Sequence, residues 1–358
     1  MSVPAIHQIL NGFADGDAIS NCARVLRDLA RRRGAASEIF APAAHVAPAV
    51  RGECRPLEEY QGRAGDLVLH HYSIASPAVE RFLESPASRV LVYHNITPAE
   101  FFRGFDDAVA AQLARARERL PDVVRRADAC WAVSEFNAAE LRASGARDPA
   151  VFPLVFDPTP LDVPDDPDVR IRFRRRLTTF LTVGRIAPNK RLEVLIEAFN
   201  WYHKTLDPFS RLVIVGSDRS CPRYFAMLRM LAGDFDLPNV CFEGFASPRG
   251  LPTYYRCADV YVSTSDHEGY CLPLLEAMYC GVPVVAHAIG GMPEAMGGAG
   301  VLYEGLTTAE LAVLLHKIAN DRAVRREVLA SQQRRIDQVR ARNLEAEFDA
   351  LLARVPRR

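Results

Sequence analysis

Short runs of β-branched and aromatic residues alternate along the chain with longer stretches in which hydrophobic residues recur at helical spacing. Such runs predict parallel strands buried on both faces, and the longer stretches predict the helices that cover them. The strands expected in the first half lie near residues 3–10, 36–40, 66–70, 89–93, 129–134 and 150–154. Those expected in the second half lie near residues 178–184, 211–216, 240–244, 258–263, 282–286 and 300–303. Because the alternation occurs twice, we predict an α/β protein of two doubly wound domains.

A proline-rich segment separates the two halves. Residues 156–170, "FDPTPLDVPDDPDVR", contain four prolines and five aspartates. Prolines at this density cannot continue a helix or a central strand. We therefore expect a linker, with domains over residues 1–165 and 166–335. Residues 336–358 predict a C-terminal helix that packs back on the first domain.

Composition excludes several classes of function. The 358 residues include 44 basic and 44 acidic side chains, a balance that provides no net field for gathering nucleic acid. Eight cysteines occur without CxxC pairs or companion histidines, which favours free thiols in a reducing compartment over disulfides or zinc. The sequence shows no signal peptide and no apolar run of about 18 residues. We therefore expect a cytoplasmic protein without a nucleic-acid partner.

The loop after the strand near 178–184 carries positive charge. In "LTVGRIAPNKRLEVLIEAF" the strand ends at Gly184, and Arg185 and Lys190 follow before a helix begins. A helix N-terminus favours anions, and two basic side chains beside it suit a diphosphate. Two interpretations remain open at this point, a phosphate site and a strand end with two solvated basic residues.

A second loop presents two carboxylates. In "HEGYCLPLLEAMYCGVPVVAH", residues 267–287, Glu268 lies in the loop and Glu276 lies one turn into a helix that Pro273 begins. A carboxylate accepts hydrogen bonds from neighbouring hydroxyls, so the pair suits a sugar or a ribose. The alternative is that Glu276 only favours the helix dipole and Glu268 is solvated. The diglycine turn at 290–291 supports the first interpretation, because phosphates, hydroxyls and close backbone approach together suit a nucleotide sugar.

These motifs resemble those of the retaining glycosyltransferases of family 4. The pattern G-R-x4-K covers Gly184 to Lys190, and the E-x7-E spacing joins Glu268 to Glu276. The second half resembles the family over almost its full length, and the first half resembles it in organisation. The resemblance implies the GT-B architecture, two Rossmann-like domains facing across a cleft. It also implies transfer of a hexose, with retention, from a nucleotide-diphosphate sugar to an acceptor hydroxyl, without a metal or other cofactor.

Residue roles follow from the resemblance position by position. Arg185 and Lys190 would hold the donor diphosphate and stabilise the leaving group. Glu268 would orient the donor sugar, and Glu276 would bind the ribose hydroxyls. His94, expected at the end of a strand in the first domain, would lie close to the donor sugar, or would satisfy a local backbone group.

Backbone positions complete the expected donor site. The segment Gly269, Tyr270, Cys271 and Leu272 would contact the sugar, and Gly244 and Phe245 would contact the base. Gly16, in the first loop, would permit close approach of the backbone to the ligand. Cys271 departs from the family pattern, which has glycine there, and this difference narrows the expected pocket.

Other classes of function remain as alternatives. A nucleotide-sugar epimerase, or a nucleotide-sugar-binding protein without activity, would use the same scaffold. A phosphorylase would need a lysine for pyridoxal phosphate, and this chain offers no suitable candidate among its three lysines. A metal-dependent transferase would need a D-x-D motif after a strand, and residues 15–17 and 234–236 are interpreted as chance matches.

The acceptor is expected to be a glycan or a lipid-linked carrier in bacterial polysaccharide or lipopolysaccharide assembly. Two basic stretches, residues 114–126 and 169–176, suggest peripheral association with the inner face of the membrane. Acidic residues nearby favour the alternative that both stretches are solvated faces.

Overall fold

A computed structural model describes residues 3–174 and 176–356. Arg175, in the basic stretch 169–176, lies outside the described residues. Each expected strand region contains a strand, and the prediction of two parallel α/β sheets is confirmed. The strands are β1 Ile6–Ile9, β2 Ile39–Ala41, β3 Arg55–Pro56, β4 Leu67–Tyr72, β5 Ser88–Tyr93, β6 Ala129–Ala132, β7 Ala150–Val151, β8 Thr178–Val183, β9 Ser210–Val215, β10 Val240–Gly244, β11 Val260–Ser263, β12 Val284–His287 and β13 Val301–Tyr303.

Thirteen α-helices lie in the described part of the chain, and the last three of them follow β13. They are α1 Ala18–Arg32, α2 Ala78–Leu83, α3 Asp107–Arg126, α4 Glu135–Ala143, α5 Pro167–Arg172, α6 Leu192–Thr205, α7 Pro222–Asp234, α8 Gly250–Cys257, α9 Leu272–Tyr279, α10 Met292–Met296, α11 Thr308–Asn320, α12 Arg322–Arg340 and α13 Leu344–Ala353. Among the helices described, none has the length and apolar character that a membrane crossing requires.

Local side chains fix where the helices begin. The Asp17 carboxylate accepts a hydrogen bond from the Ser20 backbone N–H at 2.8 Å and so caps α1. Thr307 and Glu310 form a reciprocal capping box at the start of α11, which satisfies backbone donors that have no partner within the helix. Pro273 lies in the first turn of α9, where its missing N–H costs nothing.

Strand order reverses once in each sheet. The seven-stranded sheet has the order β3-β2-β1-β4-β5-β6-β7, and the six-stranded sheet has the order β10-β9-β8-β11-β12-β13. All the strand pairs recorded in these two sheets are parallel. The loops after β1 and β4, and after β8 and β11, therefore flank the switch points where such sheets bind ligands.

The chain divides into two compact units. The first unit comprises Met1–Glu100, Ala108–Val155 and Arg342–Arg358, and the second comprises Phe101–Asp107 and Phe156–Ala341. The expected boundary near residue 165 thus lies inside the second unit, because the proline-rich segment packs there. Arg256 donates hydrogen bonds to the Asp165 carboxylate at 2.6 Å and to the Val163 carbonyl at 2.9 Å.

The chain returns to the first unit at its C-terminal end. Helix α12 belongs to the second unit and α13 to the first. Phe348 of α13 is fully buried and packs edge to face against Trp131 of β6, with ring centroids 6.2 Å apart. Arg342, at the start of this segment, donates to the Pro153 carbonyl at 3.1 Å.

Strands in both units are covered on both faces, which explains their continuous hydrophobic runs. In the second unit, Phe180 of β8 and Leu212 of β9 pack with Phe199 of α6 and Leu315 of α11 in one buried cluster. Burial of this kind supplies most of the stabilisation of a parallel sheet. The helices are held by the apolar side chains that they contribute to it.

One close backbone approach shapes the switch point of the second unit. A Cβ atom added at Gly216, directly after β9, would lie 1.7 Å from the Gly184 carbonyl oxygen at the end of β8. The Gly216 N–H donates to the Gly244 carbonyl at 2.8 Å. Glycine at 216 therefore lets the ends of β8, β9 and β10 converge.

We predict that Gly216→Ala lowers the free energy of unfolding of the second unit by about 1–3 kcal/mol, because the backbone must shift to admit the methyl group. Gly233→Ala is the matched control, since an added Cβ there meets no atom within 4 Å and alanine favours the helix by about 0.5 kcal/mol. Urea unfolding followed by circular dichroism measures both. Equal stability of the two variants would contradict the prediction.

Candidate functional site

An ion pair joins the two central loops of the second unit. Lys190 follows β8, Glu268 follows β11, and the Lys190 ammonium donates a hydrogen bond to the Glu268 carboxylate. The Ser265 hydroxyl donates to the same carboxylate oxygen at 2.9 Å. The side chains of Lys190 and Glu268 are only 19% and 13% exposed. The structure thus brings together two of the residues predicted from separate motifs.

Charge is retained at this site in spite of burial. Burial alone would lower the pKa of Lys190, but the Glu268 carboxylate outweighs it and holds that pKa above its usual value. Lys190 is therefore an ammonium at neutral pH, and its side chain is only 19% exposed. Low exposure weakens the screening of this charge by water, while the paired Glu268 carboxylate partly cancels its field at a distance.

Backbone contacts fix the two loops against each other. The Asn189 side-chain amide donates to the His267 carbonyl at 3.1 Å, and the Asp266 N–H donates to the Asn189 carbonyl at 2.9 Å. The Thr264 hydroxyl donates to the Lys190 carbonyl at 3.1 Å. Lys190 is consequently held by its own backbone as well as by its charge.

The diglycine turn after β12 contacts the same loop. Gly291 donates from its backbone N–H to the Glu268 carbonyl at 2.9 Å. Gly290 has φ +58°, and a Cβ atom added there would lie 2.3 Å from the Glu268 carbonyl oxygen. This close approach and the positive φ explain the glycine at 290, and the turn adds a third loop to the site.

Glu276 lies on α9, about one turn in, as expected. The Tyr255 hydroxyl donates to its carboxylate at 2.7 Å. Burial raises the pKa of Glu276, and the bond from Tyr255 opposes that rise. Sequence reasoning missed both Tyr255 and Ser265. Ser265 stands three residues before Glu268 in the same loop, so its spacing could have indicated the contact. Tyr255 comes from α8, and no feature of the sequence indicated its contact with Glu276.

Cys271 occupies a left-handed backbone conformation just before α9, with φ +78° and ψ +74°. Its side chain is 8% exposed and lines a small pocket together with Gly184, Arg185, Lys190 and Tyr261. Burial, followed by the charge of Glu268, raises the pKa of the thiol well above its usual value. The side chain therefore enters the pocket as a neutral group.

The other predicted donor-site positions of the second unit differ in their exposure. Gly269 and Leu272 are partly exposed, and Tyr270 is buried. Arg185 is exposed at the end of β8. Gly244 has φ +65° and ends β10, and Phe245 after it is 73% exposed, which leaves one face of its ring available for stacking.

In the first unit, His94 and Gly16 lie in loops at the carboxyl edge of the sheet. Gly16, with φ +70°, is exposed between β1 and α1. His94 directly follows β5, and its Nε2 lies 2.8 Å from Nδ1 of His71 on β4. Burial lowers the pKa of His94 to about 3. The sequence expectation included neither His71 nor its partner Gln8, whose side-chain oxygen lies 2.8 Å from His71 Nε2.

The eight cysteines are free, as expected, and five of them are buried. Within the described residues, Cys22, His71 and His94 form one group whose potential metal-binding atoms lie within 4.8 Å of one another. This group could not be predicted from the sequence, because its three members come from α1, β4 and the loop after β5.

Comparison with known proteins finds a family match in the second half of the chain. Residues 169–335 match the family model described as Glycosyl transferases group 1. The D-inositol 3-phosphate glycosyltransferase of Thermomonospora curvata is 37% identical over 172 residues, which cover 45% of this chain and 39% of that protein. The chain thus spans less than half the length of this curated relative.

Solved structures resemble the whole chain. Sucrose-phosphate synthase from Thermosynechococcus elongatus superposes with a TM-score of 0.73 at 19% identity, covering 98% of both chains. Anabaena HepE, solved in complex with UDP-glucose, gives a TM-score of 0.68 at 20% identity and covers 97% of this chain and 99% of that one. These likenesses confirm the GT-B fold.

We predict that Cys271→Gly is more stable than Cys271→Ala by about 1 kcal/mol, the reverse of the usual order. Alanine keeps a Cβ atom in the left-handed region, whereas glycine adopts that conformation freely. Both variants lose the thiol, so their comparison isolates the backbone strain. Thermal unfolding of the two proteins side by side measures it, and a more stable alanine variant would refute the strain.

The buried histidines make the first unit sensitive to acid. Burial lowers the pKa of His70 to about 4 and that of His94 to about 3, whereas an unfolded histidine titrates near 6.5. Their neutral forms therefore stabilise the folded state fully above pH 6.5, and this contribution is lost as pH falls below that value. At pH 5 we expect a loss of about 2 kcal/mol for each histidine.

Tryptophan fluorescence can isolate this effect. Trp131 is buried in the first unit and Trp201 lies in the second, so a Trp201→Phe protein reports on the first unit alone. Its urea midpoint is expected to decrease between pH 7.5 and pH 5. An unchanged midpoint would show that the histidines accept protons in the folded state.

Proposed function

We propose that this protein is a retaining, metal-independent hexosyltransferase of family 4. It transfers a sugar from a nucleotide-diphosphate sugar, of UDP or GDP type, to an acceptor hydroxyl. The observation that carries the proposal is the partly buried Lys190–Glu268 pair at the switch point of the second unit, within the residues that match group 1 glycosyl transferases.

The cation supports diphosphate binding. Lys190 keeps its charge with little water around it, and Arg185 is exposed at the end of the neighbouring strand. Helix α6 begins at Leu192 and adds the partial positive charge of its N-terminus. Together these groups stabilise the negative charge that develops as the nucleotide leaves, a role that other transferases give to a metal ion.

The two glutamates support recognition of hydroxyl groups. Glu268 accepts hydrogen bonds from the donor sugar, and the backbone of Gly269 to Leu272 lines the same space. Glu276, held by Tyr255, binds the ribose hydroxyls. The exposed ring of Phe245 stacks on the base beside Gly244.

Catalysis then rests on positioning and charge stabilisation. The acceptor hydroxyl attacks the anomeric carbon on the face from which the diphosphate departs, and a diphosphate oxygen takes its proton. The sugar–phosphate bond breaks as the new glycosidic bond forms, so configuration is retained without a protein nucleophile. His94 contacts the donor sugar. The acceptor in this proposal is a glycan or a lipid-linked carrier in bacterial polysaccharide or lipopolysaccharide assembly. The reaction takes place at the inner face of the membrane.

Nucleotide binding provides the first test. UDP, GDP, ADP and dTDP are added separately and the melting temperature of the full chain is measured. One nucleotide is expected to raise it in the wild type and to have little effect in Glu276→Ala and Lys190→Ala. Glu304→Ala and Lys204→Ala, at exposed positions, are the matched controls and should respond like the wild type. A response to no nucleotide contradicts the proposed donor site.

Turnover separates the proposal from its alternatives. A transferase releases nucleotide from the matching nucleotide sugar, an epimerase changes the sugar without release, and a binding protein does neither. A charge-assisted hydrogen bond contributes about 1.5–3 kcal/mol, so Lys190→Ala should lower turnover about ten- to a hundredfold. Proton NMR of the product gives its anomeric configuration. Wild-type turnover in Lys190→Ala would remove that residue from the mechanism.

A further inference from the structure

Four groups form a chain of polar contacts at the switch point of the first unit. Gln8 lies on β1, His71 on the neighbouring strand β4, and His94 at the end of the next strand, β5. Gln8 Nε2 lies 2.8 Å from the Ala23 carbonyl oxygen on α1. Gln8 and His71 are 0% and 1% exposed, so water does not compete for these contacts.

The Ala23 carbonyl fixes which atom donates in each hydrogen bond of this series. A carbonyl oxygen only accepts hydrogen bonds, so the Gln8 atom beside it must be the amide nitrogen. The Gln8 carbonyl oxygen therefore faces His71 Nε2, at 2.8 Å. This oxygen also only accepts, and His71 must carry a proton on Nε2.

The same reasoning fixes the proton on His94. Burial holds the pKa of His71 well below its usual value, so its ring is neutral and its Nδ1 presents a lone pair. His94 Nε2, 2.8 Å away, must donate to it. The two rings lie within 18° of parallel with centroids 5.0 Å apart. With the two nitrogens 2.8 Å apart, the ring centroids could hardly lie farther from each other. The two centroids and the two nitrogens therefore lie nearly on one line, so the N–H of one ring points at the lone pair of the other.

His94 Nδ1 is the last atom in this series of contacts. It is buried, and it has no hydrogen-bond partner among the described residues. Leaving a buried polar atom unpaired costs about 1–3 kcal/mol. A group that donates a hydrogen bond to this nitrogen recovers that cost, whereas a group that only accepts cannot.

We propose that Gln8 and His71 are positioning residues that hold His94 in the Nε2–H form, so that its Nδ1 accepts a hydrogen bond from a hydroxyl of the bound ligand. The proposal rests on the proposed function, in which that ligand is the donor sugar. His94 then selects a hydroxyl as its partner, and it is neither a proton donor nor a cation in the reaction.

A metal ion at the same place fits the geometry less well. Cys22 lies near both histidines, and zinc binds such side chains. Tetrahedral zinc, with bonds to nitrogen near 2.0–2.1 Å, would separate the two nitrogens by about 3.3 Å. They are 2.8 Å apart and aligned with each other, which suits a shared proton.

Histidine tautomers can be read directly in the full chain. Protein labelled with ¹⁵N in histidine is studied at pH 7 by two-bond ¹H–¹⁵N correlation, with assignments from His71→Gln and His94→Gln. Both rings are expected to show a protonated Nε2 and an unprotonated Nδ1. A proton on Nδ1 of His94, or on both nitrogens of either ring, overturns the proposal.

Variants of Gln8 test the origin of the tautomer. Gln8→Leu removes the acceptor for His71, so both rings should lose their single Nε2–H form. Gln8→Glu restores it, because a protonated carboxyl group donates to the Ala23 carbonyl and accepts from His71 as the amide does. Gln332→Leu is the control, because Gln332 is also buried and bonds the backbone of Val284 and Val282. A Gln8→Leu protein with unchanged tautomers contradicts the proposal.

Two further measurements complete the test. Nucleotide release should fall about three- to tenfold in Gln8→Leu, the effect of one neutral hydrogen bond, and should recover in Gln8→Glu. If the purified protein contains stoichiometric zinc and Cys22→Ser loses it, the three side chains form a metal site and the proposal is overturned. Because the tautomers are read without substrate, a failure of the proposed transfer reaction remains distinguishable from a failure of this inference.

Discussion

The reversal of strand order in each parallel sheet determines where chemistry can occur in this protein. Parallel strands all end at one edge, and connecting helices cover both faces, so only the loops at the reversal leave room for a ligand. In the second unit these loops bring Lys190 to Glu268. In the first unit the corresponding strands bring Gln8 to His71. Neither pair is close in sequence, and both depend on the order of the strands.

The two switch points differ in how they treat charge. The second unit partly buries an ammonium and a carboxylate together, an arrangement that seldom adds net stability because desolvation offsets the attraction. In the function that we propose, this pair holds the Lys190 cation in place for the donor diphosphate. The first unit instead passes neutral hydrogen bonds from Gln8 to His94. These neutral hydrogen bonds orient the His94 ring without adding a charge. An uncharged acceptor suits the hydroxyl groups of a sugar better than it suits phosphate groups.

Much of the fold could be predicted because burial on both faces produces continuous hydrophobic runs. The sequence missed β3, Arg55–Pro56, because an arginine and a proline carry none of the hydrophobic or β-branched signal by which strands are predicted. The loop position of Lys190 and Glu268 was predictable, since each follows a recognisable strand. Tyr255, Gln8 and His71 were not, because their roles arise from contacts between elements. The tautomer of His94 required hydrogen-bond partners that only a three-dimensional structure supplies.

Cys271 stands at a position where the backbone conformation alone would favour glycine. A residue with a Cβ atom is costly at φ +78°, and glycine would adopt this conformation without strain. The backbone nevertheless turns there, because α9 must begin at Leu272 while the preceding loop keeps Glu268 beside Lys190. The strain is thus held by contacts on both sides of the turn. The Cys271 side chain lines one pocket together with Gly184 and Tyr261, so the same residue that strains the backbone also reduces the space in that pocket.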